Sequence, residues 1–505
     1  MKHLVILFAL LASTTIVFGQ TESYDKWEGF KDLKTLKVKD FSYFSPKDFK
    51  YIEGGVYSFD GLDFPLKRTD QDSCLIMDVN DFRGNDFRAS DNLSYKNKGS
   101  IVSFYLSDHE VTNQEYRKFV LWVKEYTARK ILAKYYPEKY LNEFEQLVID
   151  QPIDWTDSIL HQEMYGNGFE FGDYLKIEKL SYEFDLKVFI DTVVILDTIN
   201  NDEYFNEYIS YKNRQMSCSV YPDTLCWIMD FPYSYTVPLT NNYYCHPFYD
   251  DYPVVGVNWY QAKAYCTWLT YRMAEDIFFN INGYRYNGYF EDNDSLFQEY
   301  GFSQFRLPTE SEIFYASIPK EKWLAPKFLG TSKQQANSGA ILDVNGIMLK
   351  SYDNDGYLSP SPIKSYKPNQ HGIYDLQGNV SEWTADSLTL ENPYKISTHD
   401  DLEAAVDKIL SSELYETNID VLQKPIWVED YVNRFLSNSR LIDQEPNGRI
   451  VKGGNWFQGP IYLMPEVSSL HSAESSRSTI GFRVAIEGSV FEIKKNQLVF
   501  YLLED

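Results

Sequence analysis

The stretch 372–383 has the residue types that could bind a hard cation. It reads GIYDLQGNVSEW, so a Gly-Asn turn separates Asp375 from Glu382. A second Gly-Asn turn, KGGNW at 452–456, and the tripeptide GFR at 481–483 follow later in the chain. Calcium takes about six to eight oxygen ligands from carboxylates and turn carbonyls, and glycine-rich loops can present both. Together these turns place acids where a loop could wrap a hard cation.

Thiols are the second group that could do chemistry. The cysteines are five in number, namely Cys74, Cys218, Cys226, Cys245 and Cys266. An odd number cannot all pair within the chain, and the spacings match no zinc or redox motif. An oxidising compartment would permit Cys218 or Cys226 to bridge with Cys245. Cys266 lies inside a helical pattern, where we expect a buried structural thiol.

A histidine near serines is the remaining candidate nucleophile arrangement. His471 has Ser469 two positions before it and Ser472 directly after it. A lone histidine in a serine-rich loop is expected to face solvent, so we do not expect catalysis there. The 7 histidines are scattered along the chain and form no His-rich iron site.

Composition favours a globular protein with acidic surfaces. Of the 505 residues, 44% are apolar and 17% aromatic, which is ample material for a buried core. The net charge of −25 repels phosphate backbones and anionic lipid headgroups, which argues against nucleic-acid binding. Cations and basic partners are favoured instead.

The first residues are typical of a signal peptide. A basic start, Met1-Lys2-His3, precedes an apolar run over 4–17 and a small residue at Gly19, after which we predict cleavage. The run is too short for a comfortable membrane span, and no later stretch reaches about 18 apolar residues, so no transmembrane segment is expected. No cysteine near the cut could accept a lipid anchor. The mature protein is expected outside the cytoplasm, in the periplasm or associated with the outer membrane.

Three helix starts carry the same capping pattern. Thr112, Asn258 and Thr309 each precede a Glu or Gln three positions on, which is the reciprocal capping box. The first helix should bury Tyr116, Phe119, Val120 and Val123 on one face. After the third helix, Gly, Asn, Asp, Ser and Pro dominate, so the second half of the chain should be loop-rich.

Strand patterns precede the first helix and set the domain limits. Residues 51–59 alternate around a Gly-Gly kink, and 101–106 form a second apolar segment. The lysine-rich segment 20–45 is interpreted as an N-terminal leader, 46–486 as one domain, and 487–505 as a C-terminal tail.

The order of these motifs resembles the formylglycine-generating enzyme, or sulfatase-modifying factor, family, whose fold is a C-type-lectin-like variant. The resemblance implies an α+β, loop-rich domain with three insertions that a minimal member lacks, near 125–250, 274–302 and 387–447. The matching pieces are 53–55, 109–116, 253–259, 264–268, 306–312, 372–383, 452–456 and 481–483.

The first insertion looks like the GldK/PorK branch of that family. The segments 220–231 and 246–253 carry the likeness, as does the long first helix with its ARKIL stretch at 128–132. Members of the branch are non-enzymatic parts of type IX secretion and gliding machinery, where they form a ring with a GldN/PorN-like partner. Those members are lipoproteins, whereas this chain has no lipid-acceptor cysteine, so both a ring component and a soluble paralogue are consistent with it.

The family's oxidase uses a pair of cysteines that bind copper(I) between the Gly-Gly-x-Trp and Gly-Phe-Arg turns. Copper(I) needs soft thiolates. The span 457–480 contains no cysteine, and the corresponding positions fall near Pro460 and Pro465. The resemblance therefore predicts a protein without copper and without the family's reaction.

The resemblance also implies two structural calcium sites. By position, Asn337, the Ser338 carbonyl, Asp355 and the Tyr357 carbonyl match one site, and Asp375, the carbonyls of Gly378 and Val380, and Glu382 match the other. Trp383 and Trp456 are then expected to cover these turns as core residues.

Two functions follow as hypotheses. The first is a non-catalytic envelope assembly or binding protein that uses its insertions to contact other envelope proteins, with a homo-oligomer as a further candidate. The second is a formylglycine-generating oxidase that acts on sulfatase cysteines with an unrecognised metal or nucleophile arrangement. Carbohydrate binding by lectin analogy has little support, because fold alone does not imply function.

Overall fold

A computed structural model of the chain gives the fold. The residues that it describes are 33–38, 41–59, 97–168, 172–199, 202–230, 237–300, 303–317, 336–338, 341–342, 348–350, 356–389, 447–458, 463, 465, 468–487, 491–494 and 497–503. The predicted signal peptide lies outside these residues. Among the described residues, no helix has the length and apolar character needed to cross a membrane.

The three capped helices are confirmed. They are α1 (Asn113–Tyr135), α6 (Trp259–Asn282) and α8 (Glu310–Ser317). The reciprocal cap forms at Thr112, Asn258 and Thr309, where the side chain accepts from the backbone N–H three residues on. The four residues expected on the inner face of α1 are all buried.

Short helices complete the α content of the described residues. These are α2 (Pro137–Tyr140), α3 (Ser158–Met164), α4 (Cys226–Asp230), α5 (Val237–Asn242) and α7 (Asp294–Tyr300). All but α7 lie in the first insertion. The second insertion begins as a continuation of α6, which runs on to Asn282 and ends at Gly283 in the left-handed conformation, with a φ of 76°.

The strands are mostly short and form several small sheets. In chain order they are β1 (Leu33–Val38), β2 (Phe49–Ile52), β3 (Gly55–Phe59), β4 (Asn97–Ile101), β5 (Phe104–Ser107), β6 (Tyr165–Gly168), β7 (Gly172–Leu175), β8 (Ser181–Ile199), β9 (Asp202–Ser219), β10 (Phe305–Arg306), β11 (Ile341–Leu342), β12 (Met348–Lys350), β13 (Ser381–Thr389), β14 (Asn447–Lys452), β15 (Ser468–His471), β16 (Ile480–Gly481), β17 (Ala485–Glu487), β18 (Phe491–Lys494) and β19 (Gln497–Leu503). Helices and mainly antiparallel strands together make the fold α+β, as predicted.

Two four-stranded sheets position the candidate site. One has the order β10-β17-β5-β2, and the other has the order β15-β14-β13-β16 with β16 parallel to β13. The predicted strand 101–106 is in fact two strands, because β4 pairs with β3 whereas β5 pairs with β2 and β17. The break falls at Val102 and Ser103.

The main core lies between α1, α6 and the sheets. It is strongly aromatic: the rings of Tyr116 and Tyr265 stack with centroids 5.7 Å apart, and Phe482 meets Tyr265 edge-on at 5.4 Å. Phe119 fills the space between these rings and Trp268. Aromatic side chains bury large areas, so this cluster holds both long helices against the closing GFR turn.

The segments interpreted as leader and tail contribute strands. Strand β1, inside 20–45, pairs antiparallel with β19, and β19 pairs with β18. The two ends of the chain therefore form one three-stranded sheet, which local patterns did not predict. In the third insertion, β13 continues to Thr389 and β14 begins at Asn447, and residues 390–446 lie outside the described part of the chain.

Candidate functional site

Asn379 ties together four segments of the chain. Its N–H donates to the Asn337 carbonyl at 2.9 Å, and its own carbonyl accepts from the Trp456 N–H at 2.8 Å. Its Oδ1 accepts from the Ser361 N–H at 2.8 Å, and its Nδ2 donates to Glu110 Oε2 at 3.2 Å. The residue is fully buried with a φ of 60°, a left-handed conformation that Asn tolerates better than most residues. The Gly-Asn turn is therefore a junction of the fold.

Gly378 allows the backbone segments at this junction to approach each other closely. Its φ is 87°, and a Cβ at this position would lie 2.2 Å from the Asn337 carbonyl oxygen. Its N–H donates to the Gly453 carbonyl at 2.8 Å, which joins the two Gly-Asn turns directly. No side chain fits there, so the glycine is required by close backbone approach.

Three acids and one arginine form a buried charged group, which we call the acid cluster: Glu110, Asp375, Glu382 and Arg483. Glu382 accepts a bidentate pair of bonds from Arg483, with Nε to Oε2 at 2.6 Å and Nη2 to Oε1 at 2.5 Å. The Arg483 guanidinium also donates to the carbonyls of Ser107 and Tyr374. The fixed fork of arginine suits such a planar pair.

The acid cluster holds more carboxylates than cations. Burial, together with the nearby charges of Asp375 and Glu382, raises the pKa of Glu110 well above its ordinary value. Burial raises the pKa of Asp375 to about 6, although its Oδ2 accepts a hydrogen bond from the Lys364 N–H. Among the three acids of the cluster, the Arg483 guanidinium donates hydrogen bonds to Glu382. The cluster therefore either takes up protons or gains from an added cation.

A second charged network, built on Asp108 and His109, adjoins the acid cluster. His109 Nδ1 lies 2.5 Å from Asp108 Oδ1, and its Nε2 lies 3.5 Å from Glu115 Oε1. Lys364 Nζ lies 2.8 Å from the same Asp108 oxygen. Burial disfavours charging of the imidazole, but the hydrogen bonds to both carboxylates outweigh it and raise the pKa of His109 to about 9. The ring is therefore an imidazolium at neutral pH.

Residues of the first calcium set lie beside the Asn379 junction. Asn337 and Ser338 are buried, Tyr357 is half-buried, and Asp355 lies outside the described residues. Asn337 Nδ2 donates to the Ser359 carbonyl at 3.0 Å, which fixes the orientation of its amide. Its Oδ1 is buried without a hydrogen-bond partner. An orphaned amide oxygen is the kind of ligand that calcium takes.

Residues of the second calcium set lie on one turn. Asp375 and Glu382 are both in the acid cluster, and Gly378 and Val380 lie on the chain between them. The Glu382 carboxylate is already occupied by the guanidinium, so an ion there would share it. Over the described residues, no three His, Cys, Asp or Glu side chains are grouped in a way that could hold a metal. Any ion at this turn would therefore depend on backbone carbonyls.

The two tryptophans cover the turns as predicted. Trp383 is fully buried and donates from Nε1 to the Val257 carbonyl at 3.0 Å. Trp456 is also buried, and its Nε1 donates to the Ser478 carbonyl at 3.3 Å. Both rings are therefore core residues.

The region where the family places its copper thiolates is filled differently here. Pro465 is buried, and its carbonyl accepts from Lys452 Nζ at 2.6 Å. Pro460 lies outside the described residues. Between the two turns, an ammonium group thus bonds to a backbone carbonyl near one of the positions where the resemblance leads us to expect a cysteine.

The first insertion packs on this same region. Asp230, at the end of α4, accepts from Arg477 Nη1 at 2.7 Å and from the N–H and hydroxyl of Ser478 at 2.7 and 2.8 Å. On the same helix, the Trp227 ring lies 6.1 Å from the Trp456 ring. A segment that minimal members lack is therefore fixed against both turns.

His471 is half-buried, whereas the sequence predicted that it faces solvent. Its Nδ1 is buried without a hydrogen-bond partner, so it accepts no proton from a neighbouring serine. The residue ends β15, opposite Arg449 on β14, and its ring lies 6.2 Å from that of Trp383. Burial lowers the pKa of His471 to about 4, which keeps the imidazole neutral. Strand pairing, which a local pattern does not show, leaves this residue half-buried with its Nδ1 atom out of solvent.

The described cysteines are free thiols. Cys218, Cys226, Cys245 and Cys266 form no disulfide, so the bridge to Cys245 that an oxidising compartment would permit is not formed. Cys266 is buried as expected, and burial raises its pKa to about 12. Cys74 lies outside the described residues.

Sequence reasoning missed three residues that shape the site. Glu110 lies in the quoted motif 109–116, but nothing local marks it as buried. Arg483 was seen only as part of a closing tripeptide, and Asp230 only as part of a family likeness. Their partners are far away in sequence: Asn379 for Glu110, Glu382 for Arg483, and Ser478 for Asp230.

Comparison of the sequence with known proteins identifies the family of the chain. The sequence model of a protein family, the sulfatase-modifying factor enzyme 1-like domain, matches residues 82–488. The chain belongs to this family. Curated relatives include both active and inactive proteins of the sulfatase-modifying factor kind. The formylglycine-generating enzyme of Streptomyces coelicolor is 29% identical over 144 residues, which cover 27% of this chain and 32% of that protein.

Other relatives in the family match at similar levels. The formylglycine-generating enzyme of Mus musculus is 25% identical over 150 residues, covering 28% of this chain and 29% of its own. The inactive C-alpha-formylglycine-generating enzyme 2 of Bos taurus is 27% identical over 138 residues, covering 27% and 33%. The chain thus spans about a third of the length of these relatives.

Solved structures resemble the chain only distantly. PvdO from Pseudomonas aeruginosa superposes with a TM-score of 0.33 at 14% identity, over 89% of this chain and 99% of its own. CarF gives a TM-score of 0.30 at 14% identity, over 87% and 97%. Membership of the sulfatase-modifying factor family therefore rests on the domain match.

Proposed function

We propose that this protein is a non-catalytic assembly or binding protein on a sulfatase-modifying factor scaffold. The proposal rests on the region between the two turns. The span 457–480 has no cysteine, and Asp230 of the first insertion bonds to Arg477 and Ser478 at its far end. A copper(I) oxidase needs two thiolates between these turns. This chain instead has prolines there and an added segment packed on top.

The two buried thiols, Cys226 and Cys266, are unsuited to replace that pair. Burial raises the pKa of Cys226 above its ordinary value and that of Cys266 to about 12, which disfavours the thiolate that binds metal or attacks substrate. The neutral imidazole of His471 has no hydroxyl bonded to its Nδ1. These two observations disfavour a substitute nucleophile.

Calcium is part of this proposal as a structural ion. The Asn337 Oδ1 atom lacks a donor, and one turn carries Asp375 and Glu382 on either side of the Gly378 and Val380 carbonyls. Both features suit a dication. Asn337, Ser338, Asp355 and Tyr357 would hold one ion, and Asp375, Gly378, Val380 and Glu382 the other. Such ions would fix turns that have little regular secondary structure.

The setting in the cell follows from the leader sequence and the branch likeness. A signal peptide cleaved after Gly19 would place the protein in the periplasm or at the outer membrane. Partners would be other envelope proteins, with a GldN/PorN-like ring protein as the first candidate. The chain would act either as a GldK-like component of the secretion and gliding machinery or as its soluble paralogue.

The alternative function, a formylglycine-generating oxidase, is tested directly. The purified protein would be incubated with a Cys-x-Pro-x-Arg peptide, copper(I) and oxygen, beside the Streptomyces coelicolor enzyme as a positive control. We expect no aldehyde above the level without protein. Stoichiometric aldehyde from this chain would overturn the proposal.

The binding role needs its own measurement. Co-purification from an envelope fraction, with the tagged protein expressed in its own host, should recover a stoichiometric envelope partner at physiological salt. Recovery of a clean monomer under those conditions would count against an assembly role, whatever the aldehyde assay gives.

A further inference from the structure

The first insertion contains a two-stranded ribbon far longer than any other in the described residues. Strands β8 and β9 have 19 and 18 residues and pair antiparallel from Ser181↔Ser219 to Ile199↔Asp202. In the part of the chain that the structure describes, neither strand hydrogen-bonds to a third. The ribbon therefore has two open edges along its length.

The base of the ribbon is anchored in the main core. Tyr182 and Phe184 are buried in the main core, and Leu186 and Met216 pack against it from the side. Tyr182 also donates from its hydroxyl to Glu291 at 3.1 Å. We call the outer strand segments, residues 188–199 and 202–211, the arm. At about 3.3 Å per residue, the arm extends some 40 Å along the strand direction.

Apolar residues occupy both faces of the arm. Residues directly opposite each other share a face, and alternate residues of a strand do so too. One face carries the cross-strand pairs Thr192–Ile209, Val194–Glu207 and Leu196–Phe205, and the other carries Val193–Tyr208, Ile195–Asn206 and Asp197–Tyr204. A solvated ribbon would be polar on at least one face. Because an isolated hairpin is only marginally stable in water, this pattern points to a binding partner.

The charge of the arm indicates the chemical class of its binding partner. The arm carries five carboxylates and no Lys, Arg or His; the acids are Asp191, Asp197, Asp202, Glu203 and Glu207. Two such arms would repel each other, and the chain as a whole has a net charge of −25. An anionic membrane surface is disfavoured for the same reason. A protein segment with basic and apolar residues is complementary to the arm.

We propose that the arm binds an extended, basic and apolar segment of a partner protein by strand addition to one of its open edges. The partner's main chain would continue the ladder, its apolar side chains would pack on a face of the arm, and its Lys or Arg would pair with the five acids. This inference rests on the proposed function as a binding protein and adds the surface and the partner's chemistry.

The test uses a shortened variant and defined peptides. Residues 189–211 are replaced by Asn-Gly, which joins Val188 to Lys212; these two are cross-strand partners, and a two-residue turn suits such a pair. The probe is a fluorescent octapeptide of alternating Lys and Val. Its controls are the Glu–Val peptide of the same length and a Lys–Val peptide with two central valines replaced by proline, which cannot donate to a ladder.

Binding is measured by fluorescence anisotropy at physiological salt. We expect the Lys–Val peptide to bind the full chain at least about tenfold more tightly than either control peptide does, and about tenfold more tightly than it binds the shortened variant. A second variant, with all five arm acids changed to amides, keeps the arm's length. It should weaken the binding of the Lys–Val peptide and flatten its salt dependence.

Several outcomes would overturn the inference. The first is that the full chain does not bind the Lys–Val peptide, and the second is that the shortened variant binds it equally well. The third is that the proline peptide binds equally well, which would show that charge alone accounts for the binding. Arm-dependent flotation with anionic vesicles would identify a membrane instead, and arm-dependent self-association in sedimentation would identify a second copy. If the shortened variant does not fold, the amide variant still decides. Because the aldehyde assay measures catalysis separately, failure of peptide binding would not change its result.

Discussion

The acid cluster and the arm differ in how their residues are held in place. Glu110, Glu382 and Arg483 are buried at the meeting of several segments, and each charge has fixed partners. The arm has a regular ladder, and in the described residues neither of its strands pairs with a third strand. In the proposed function, the family scaffold supplies rigidity and the inserted ribbon supplies a surface for binding.

Removing the cation from the acid cluster should have the largest effect. Arg483→Met leaves three carboxylates buried without a guanidinium, and breaking a buried pair in this way costs about 3–5 kcal/mol. We expect the free energy of unfolding, measured by urea titration, to fall by that amount or the chain not to fold. Adding Glu110→Gln to the same variant should restore part of the loss, because one buried charge is removed. Wild-type stability in Arg483→Met would contradict the buried pairing.

The His109 network should make stability depend on pH. The pKa of His109 is raised from 6.5 to about 9 in the folded protein, so its contribution is complete below pH 6.5 and is lost as pH rises through 9. A shift of this size corresponds to roughly 3 kcal/mol. Urea titrations at pH 6 and pH 9.5 should show the difference in wild type. His109→Gln should lose most of it; an unchanged pH dependence in that variant would assign the effect to other groups.

A pair of glycine substitutions separates close approach from backbone strain. Gly378 and Gly356 have similar φ angles, 87° and 90°, but a Cβ at Gly356 meets nothing within 4 Å. Gly356→Ala should cost about 1 kcal/mol from strain alone. Gly378→Ala should cost about 2 kcal/mol more, because its Cβ would overlap the Asn337 carbonyl. If urea or thermal unfolding shows that both variants lose the same free energy of unfolding, the Asn337 carbonyl moves aside at little cost.

Shortening the arm should have the smallest effect on stability. Replacing 189–211 by Asn-Gly removes a ladder but leaves Tyr182 and Phe184 in the core. We expect the free energy of unfolding to change by less than about 0.5 kcal/mol, as for substitutions away from a core. A large loss would show that the arm belongs to the scaffold and would remove the contrast with the acid cluster.

The local parts of the fold could be predicted from the sequence. The three capping boxes depend on residues three positions apart, so Thr112, Asn258 and Thr309 mark helix starts wherever the chain goes afterwards. The burial of Trp383 and Trp456 followed from their place in the family's turns. These features need no knowledge of distant partners.

The chemistry of the acid cluster could not be predicted in the same way. Glu110 is charged in sequence and buried in space because Asn379 and Val380 donate to it from far along the chain. His471 looked exposed among serines, yet it is half-buried where β15 pairs with β14. In both cases a residue's surroundings come from segments that share no local pattern with it.

The sheet of β1, β19 and β18 has a consequence for how the chain matures. Leu33–Val38 has its ladder partner in Gln497–Leu503, so this strand can pair only after residues 497–503 have been synthesised. Closing so long a loop is slow and entropically costly. A chain arrested before residue 497 would therefore leave β1 without this partner, and an unpaired strand edge is a site of aggregation.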